Sequence, residues 1–272
     1  MSLRIQNNID AFNAHRQLVA TGDRLSKSME RLSSGYRINR AADDSAGLAI
    51  SEKLRAQATG LDQAQRNAAD AVSLVSTAEG AMSEVHAMLQ RVRELAVQYN
   101  NGTLATSDKT AIESEVTQLG SEVSRIGSQT TFNGIALLTG SSSISFQVGA
   151  NDGETLSVNA VGLYGSGSSF KVDSAVFTFS GTVNLSNIDT AIENVSSARG
   201  TFGSVQNRLE HTINNLATFE ENLQSSESRI RDVDMASEMV EFTKLGILQQ
   251  AGTAMLAQAN QSPQSVLSLL RG

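Results

Sequence analysis

Apolar residues recur along most of this chain with a 3,4 spacing. From Leu61 two sets seven apart interleave: Leu61, Ala68, Val75, Met82, Leu89 and Ala96, and Ala64, Ala71, Ala78, Val85, Val92 and Tyr99. Such a repeat, sustained over more than five heptads, is the seam of a coiled coil. At 1.5 Å per residue it predicts a helix on the order of 60 Å long. Alanine at many seam positions lets neighbouring helices approach closely. A second seam runs Ile112, Val116, Leu119, Val123 and Ile126, with the turn between them at Asn100-Asn101-Gly102. A third carries Leu209, Leu216, Leu223 and Ile230 at sevens, with Ile213 and Phe219 beside them. Three seams of this length predict a mainly α fold, an elongated antiparallel helical bundle.

The period changes in the middle. Thr131-Phe132-Asn133-Gly134 is a turn signal, and Ser143–Val148 and Thr155–Val158 alternate. Gly149-Ala150-Asn151-Asp152-Gly153 lies between those two runs, so a small β-hairpin is expected. Ala175-Val176-Phe177-Thr178-Phe179 reads as a further strand.

The two ends share one character. Ala11, Leu18, Leu25 and Leu32 fall at sevens with Ile5, Ile9 and Phe12 beside them; Val233, Val240, Ile247 and Ala254 do so with Leu248, Met255 and Leu256. Both segments carry apolar residues beyond a single stripe, and such a helix needs several partners. Ser262-Pro263 fits an N-cap followed by proline at the first helical position, opening a short last helix with Leu267, Leu269 and Leu270.

Composition narrows the chemistry. The 272 residues include one proline, no cysteine and no tryptophan, which fits long uninterrupted helices and excludes disulfides, thiolate metal sites and a cysteine nucleophile. The net charge of -7 opposes bulk electrostatic binding to nucleic acid. Charge is uneven: residues 1–40 sum to +4 and residues 232–272 to -2, which favours pairing the two ends. No apolar run approaches the roughly 20 residues needed to cross a bilayer. The start, Met1 to Asn8, has no apolar core of a cleavable secretory signal. Gly165-Ser166-Gly167-Ser168-Ser169 lacks the Lys-Ser/Thr of a phosphate-binding loop. Asp43 and Asp44 have no nucleophile or metal-binding residue beside them and read as a turn of solvated charge. His86 lacks His-Glu-x-x-His spacing and reads as a surface residue, and the seven methionines, Met235, Met239 and Met255 among them, read as packing filler. No catalytic residue, cofactor or metal site is expected.

The residues themselves resemble the bacterial flagellins across nearly the whole chain. The similarity runs through Leu3-Arg4-Ile5, Leu32-Ser33-Ser34-Gly35-Tyr36-Arg37-Ile38-Asn39, Ala41-Ala42-Asp43-Asp44 and Ala46-Gly47-Leu48-Ala49-Ile50. It continues in Leu89-Gln90-Arg91-Val92-Arg93-Glu94-Leu95-Ala96-Val97-Gln98 and Phe132-Asn133-Gly134. Towards the other end it includes Val205-Gln206-Asn207-Arg208-Leu209, Glu227 to Ala236, Gln250-Ala251-Gly252, Leu256 to Gln261 and Val266 to Arg271. Many stretches in the right order leave chance similarity negligible.

The resemblance implies a short flagellin without large outer domains. Residues 1–45 and 233–272 would form an inner coiled-coil domain on assembly, and 46–232 a rod-like helical domain with a β-hairpin region at 131–186. The chain would be exported unfolded through the flagellar type III channel and polymerise outside the cell into the filament used for swimming. Partners implied are further copies of itself, an export chaperone, and the junction and cap proteins. Terminal assembly residues are Ile5, Ile9, Phe12, Leu18, Leu25, Leu32, Val240, Ile247, Leu248, Met255, Leu267, Leu269 and Leu270. By the same resemblance Arg91, Leu95 and Glu115 match the site read by the animal Toll-like flagellin receptor, and the terminal leucines match those read by a NAIP-type intracellular sensor. Two other readings stay open: the junction protein between hook and filament, and a soluble helical adaptor.

Overall fold

The computed structural model describes residues 8–140, 143–159, 161–162, 172, 174–179 and 183–271, with positions 174, 175 and 262–271 described by backbone alone. In order the chain forms α1 (Ile9–Ser34), α2 (Ser45–Tyr99), α3 (Thr106–Gln129), β1 (Thr131–Phe132) and β2 (Ile135–Ala136). Then come β3 (Ser143–Gln147), β4 (Thr155–Asn159), a 3-10 turn (Ser174–Phe177), α4 (Leu185–Arg231) and α5 (Met235–Arg271). The fold is mainly α with a small antiparallel hairpin region, as the seams require. Two compact units divide it, Gln57–Glu221 and Met1–Ala56 with Asn222–Gly272.

In the unit Gln57–Glu221, every position of the two α2 sets from Leu61 to Tyr99 is buried. Facing them are Ile112, Val116 and Val123 of α3 and Ile188, Val195, Phe202 and Leu209 of α4. Arg93 pairs with Asp189 at 2.6 Å, Arg199 with Glu79 at 2.9 Å, and Gln65 donates to Glu220 at 2.6 Å, so α4 runs antiparallel to α2. These pairs, open to solvent or only partly buried, set register more than stability. The energy lies in the seam, where burying each Leu, Val or Met contributes roughly 1.5–3 kcal/mol. The buried face of α2 is wider than a two-position stripe. Leu74 and Leu95, both one step before a seam residue, are also buried, because α2 packs against two helices rather than one.

The hairpin β3–β4 pairs Ile144 with Val158 and Phe146 with Leu156, and this inner face packs on the same core. Asn133 (φ 48) and Gly134 (φ 79) form the two-residue left-handed turn between β1 and β2. The segment 175–179 departs from the expected strand. A strand would place Ala175, Phe177 and Phe179 on one face. Instead the 3-10 turn and the two residues after it bury Val176 and Phe179, three apart, and lay Phe177 against α3. Gly120 makes this possible: a Cβ there would meet the Phe177 ring at 2.7 Å.

In the other unit, α1 packs along α5. The inward face of α1 is Leu18, Leu25, Ser28 and Leu32, the heptad set of the sequence plus one serine. The inward face of α5 is different from its heptad set. Phe242, Leu245, Gly252 and Leu256 are covered, whereas Val240, Ile247 and Ala254 face outward. Two apolar repeats run along α5, and the one that faces α1 contains Gly252, whose missing Cβ would lie 3.2 Å from Leu18. Close approach, not hydrophobicity, selects the face.

Nor does Pro263 open a new helix, since α5 continues through it to Arg271. Proline has no N–H for the carbonyl four residues earlier, here Ala259. The Asn8 side-chain Nδ2 donates to that carbonyl at 2.8 Å, while its side-chain Oδ1 accepts from Ala11 N–H and caps α1. One asparagine thus satisfies a donor orphaned at the start of α1 and an acceptor orphaned inside α5.

Candidate functional site

The chain reverses twice in the unit formed by its two ends, and a polar lock holds the reversals together. Gly35 ends α1 in the left-handed conformation (φ 76) and its N–H bonds Arg31. Arg37 N–H donates to the Arg231 carbonyl at 2.7 Å, and Val233 N–H to the Gly35 carbonyl at 3.0 Å. The Arg231 guanidinium lies 4.6 Å from the Tyr36 ring and pairs with Glu52 at 2.7 Å. Asp44 caps α2 through Gly47 N–H, and Asp234 caps α5 through Ala236 N–H. Asp43 is not a solvated turn charge. Its carboxylate pairs with Lys27 and accepts from the backbone N–H groups of Asn39 and Arg40. The Lys27 ammonium, against the opposing effect of burial, holds its pKa at about 2 instead of 3.8. Arg40 pairs with Glu30 at 2.9 Å, and Arg31 with Glu238 at 3.7 Å across α1 and α5.

With both turns pinned, α1 and α5 spend one apolar face on each other and leave a second one open. Of 14 exposed large apolar side chains among the described residues, 11 belong to this unit. Phe12 is 72% exposed and Val240 70%, and Ile9, Ile247, Leu248 and Met255 are also open. A surface this apolar on a chain of ordinary composition marks an interaction site.

The terminal residues named from the sequence therefore fall in two groups. Leu18, Leu25 and Leu32 are half-buried in the α1–α5 seam. Ile9, Phe12, Val240, Ile247, Leu248 and Met255 lie on the open surface. Ile5 is outside the described residues, and Leu267, Leu269 and Leu270 are described only as helical backbone. Sequence reasoning missed Val19, Met29 and Ile50, which are exposed in the same unit. It took Met235 and Met239 for filler, yet both are exposed. The available signal was the second apolar stripe on each end segment.

Elsewhere, Arg91 is forked between Glu115 at 3.0 Å and Glu94 at 3.1 Å on the open face of α2 and α3. Leu95 does not share that exposure; it is 2% exposed and part of the core. His86 lies half-buried, its Nε2 3.0 Å from the Gln90 amide nitrogen. A shallow groove of about 400 Å³ holds His211 and Glu154 near the hairpin turn. Glu154 there accepts from the backbone and side-chain amides of Asn151, which hold its pKa below the usual range. Among the described residues no three His, Asp or Glu side chains are grouped to hold a metal, and no helix is long and apolar enough to cross a membrane. The arrangement is suited to binding copies or partners through an apolar surface.

Comparison with known proteins points the same way. A family model described as the bacterial flagellin N-terminal helical region matches residues 5–143, and one described as the bacterial flagellin C-terminal helical region matches residues 185–270. The chain is 51% identical over 279 residues to a flagellin of Halalkalibacterium halodurans, covering 98% of this chain and 99% of that one. It is 47% identical over 306 residues to a flagellin of Bacillus subtilis, covering 99% and 100%. It is 44% identical over 287 residues to the flagellar filament 33 kDa core protein of Treponema phagedenis, covering 98% and 99%.

Proposed function

The chain belongs to the bacterial flagellin family, and from that premise we propose how its two ends build the polymer. It is a structural subunit of the helical flagellar filament used for swimming. The work is mechanical, and the chain performs no reaction. The filament lies outside the cell, and the subunit reaches its tip unfolded through the flagellar export channel, with a chaperone before export and junction and cap proteins at the filament ends.

In this reading residues 1–45 and 233–272 form the inner domain and 46–232 the rod-like domain with its hairpin. The observation that carries it is the open apolar surface on the outer faces of α1 and α5. A lone subunit gains nothing from ordering that surface, and ordering costs roughly 1–2 kcal/mol per residue. The ends are therefore disordered in the free subunit and fold as they stack. Contacts between unlike patches, repeated with a rotation that does not close, give an open helical tube with the terminal helices inside. The full-length relatives are filament proteins, which favours a filament subunit over a junction protein or a soluble adaptor.

The test is regrowth. Filaments are dissociated by heat or acid, returned to neutral pH with seeds, and viewed by electron microscopy. Full-length protein regrows tubes; protein lacking residues 1–40 or 233–272 does not. Tubes that persist without both ends would refute the mechanism.

The forked Arg91 with Glu115 is also the surface we assign to recognition by the Toll-like flagellin receptor. Leu95, being buried, supports that face from below rather than touching a partner. Alanine at Arg91 and Glu115 should lower receptor signalling while leaving the melting temperature in place. Equal signalling by the variant would remove the assignment. The terminal leucines Leu267, Leu269 and Leu270 are assigned to the inner tube, and to a NAIP-type sensor when subunits enter a host cell.

A further inference from the structure

We propose that Met29, Met235, Met239 and Met255 are an oxidant-sensitive modification site, and that their conversion to sulfoxides bars a subunit from the filament. The inference rests on the assembly role of the open surface. It starts from what the chain lacks: with no cysteine and no tryptophan, the methionine thioether is the side chain most open to a two-electron oxidant.

The methionines are sorted by place. Met82 is fully buried in the α2 seam, and Met88 is packed against the same core. Met29, Met235, Met239 and Met255 are 48% to 65% exposed, and all four lie in the unit formed by the chain ends. Met235 and Met239 stand four residues apart on α5 and share a face. Met29 lies at the same level of α1, since Arg31, two residues on, pairs with Glu238, the residue before Met239. Met255 faces outward beside Leu256, which is turned toward α1. These four are part of the surface that stacking must cover, not of any core within one chain.

The chemistry is that of hydrogen peroxide. A sulfur lone pair attacks one peroxide oxygen. The S–O bond forms as the O–O bond breaks, the sulfur loses two electrons, and the leaving hydroxide takes the proton of the transferred oxygen to become water. The product is a polar sulfoxide oxygen that accepts hydrogen bonds. On a free subunit water satisfies it. In a closed apolar contact it has no donor and opposes burial. The free subunit is therefore vulnerable and the assembled one is shielded, so oxidised subunits are refused at the growing end. Reduction by thiol-dependent methionine sulfoxide reductases restores the thioether and with it competence.

The test uses the full chain, hydrogen peroxide as the oxidant and sonicated filaments as seeds. Peptide mapping by mass spectrometry should find sulfoxide at the four exposed positions several-fold faster than at Met82 in free subunits, and slowly in filaments. Seeded elongation of treated protein should fall several-fold and return after incubation with the two reductases and a thiol. A variant carrying M29L, M235L, M239L and M255L should elongate equally before and after peroxide. If treated wild-type protein elongates at the untreated rate, or the reductases restore nothing, the inference is overturned while the assembly reading stands. If untreated protein fails to extend seeds, the assembly reading falls first and takes this one with it.

Discussion

Asn8 joins two problems at the level of single atoms. Its side-chain Oδ1 caps α1 and its side-chain Nδ2 fills the acceptor that Pro263 leaves open on Ala259. Asn8→Ala should lower the heat-dissociation midpoint of filaments, losing about 1 kcal/mol for the cap and a further increment for the carbonyl. In a Pro263→Ala background the second increment should vanish, because an N–H is then available to Ala259. Equal losses in both backgrounds would show that the amide does nothing for Ala259. Asp43 supplies the pH dependence. Its pKa drops from 3.8 to about 2 on folding, so its contribution is complete above about pH 4 and is lost as pH falls toward 2. Filaments of Asp43→Asn should have a lower heat-dissociation midpoint than wild type at neutral pH and a flatter dependence of that midpoint across the acid window. Neither role was legible in the sequence. Asn8 and Ala259 are 251 residues apart, and Lys27 meets Asp43 only after the chain turns at Gly35.

At the scale of elements, α2 and α5 differ in how far the pattern decides their packing. The α2 heptads leave one apolar face, and that face is buried along its whole length from Leu61 to Tyr99. Two apolar faces run along α5, and the heptad set chosen by spacing alone is the one left outside. Substitutions on its two faces should therefore part company. Val240→Asp with Ile247→Asp should stop seeded elongation, read by light scattering, with little change in the melting of the unit Gln57–Glu221. A charge at an open position costs little until a neighbour must cover it. Leu245→Ala, on the inner face, should weaken the α1–α5 pair itself by about 2–5 kcal/mol. If both variants assemble alike, the division of faces is wrong. The segment 175–179 shows the limit of short patterns: five residues alternate well enough for a strand, but Gly120 offers Phe177 a seat against α3 instead.

For the whole molecule, the unit Gln57–Glu221 holds its own core, while the unit of the chain ends carries most of the uncovered apolar surface. Amide exchange should accordingly be slow in the first unit in both free and assembled protein, and become slow at 9–34 and 235–260 only on assembly. Firm protection of both ends in a dilute free subunit would contradict folding on assembly. By itself the sequence determined the helices, the α2 seam, the hairpin and the surplus of apolar residues at the ends. Those follow from periodicity, which is a property of neighbours along the chain. Only the tertiary structure decided which face of α5 meets α1, that Leu95 is buried beside an exposed Arg91, that Asp43 is paired, and that α5 passes through Pro263. Each of these depends on how closely distant backbones approach and which polar groups are left to satisfy there, and spacing along a single strand of sequence carries no record of either.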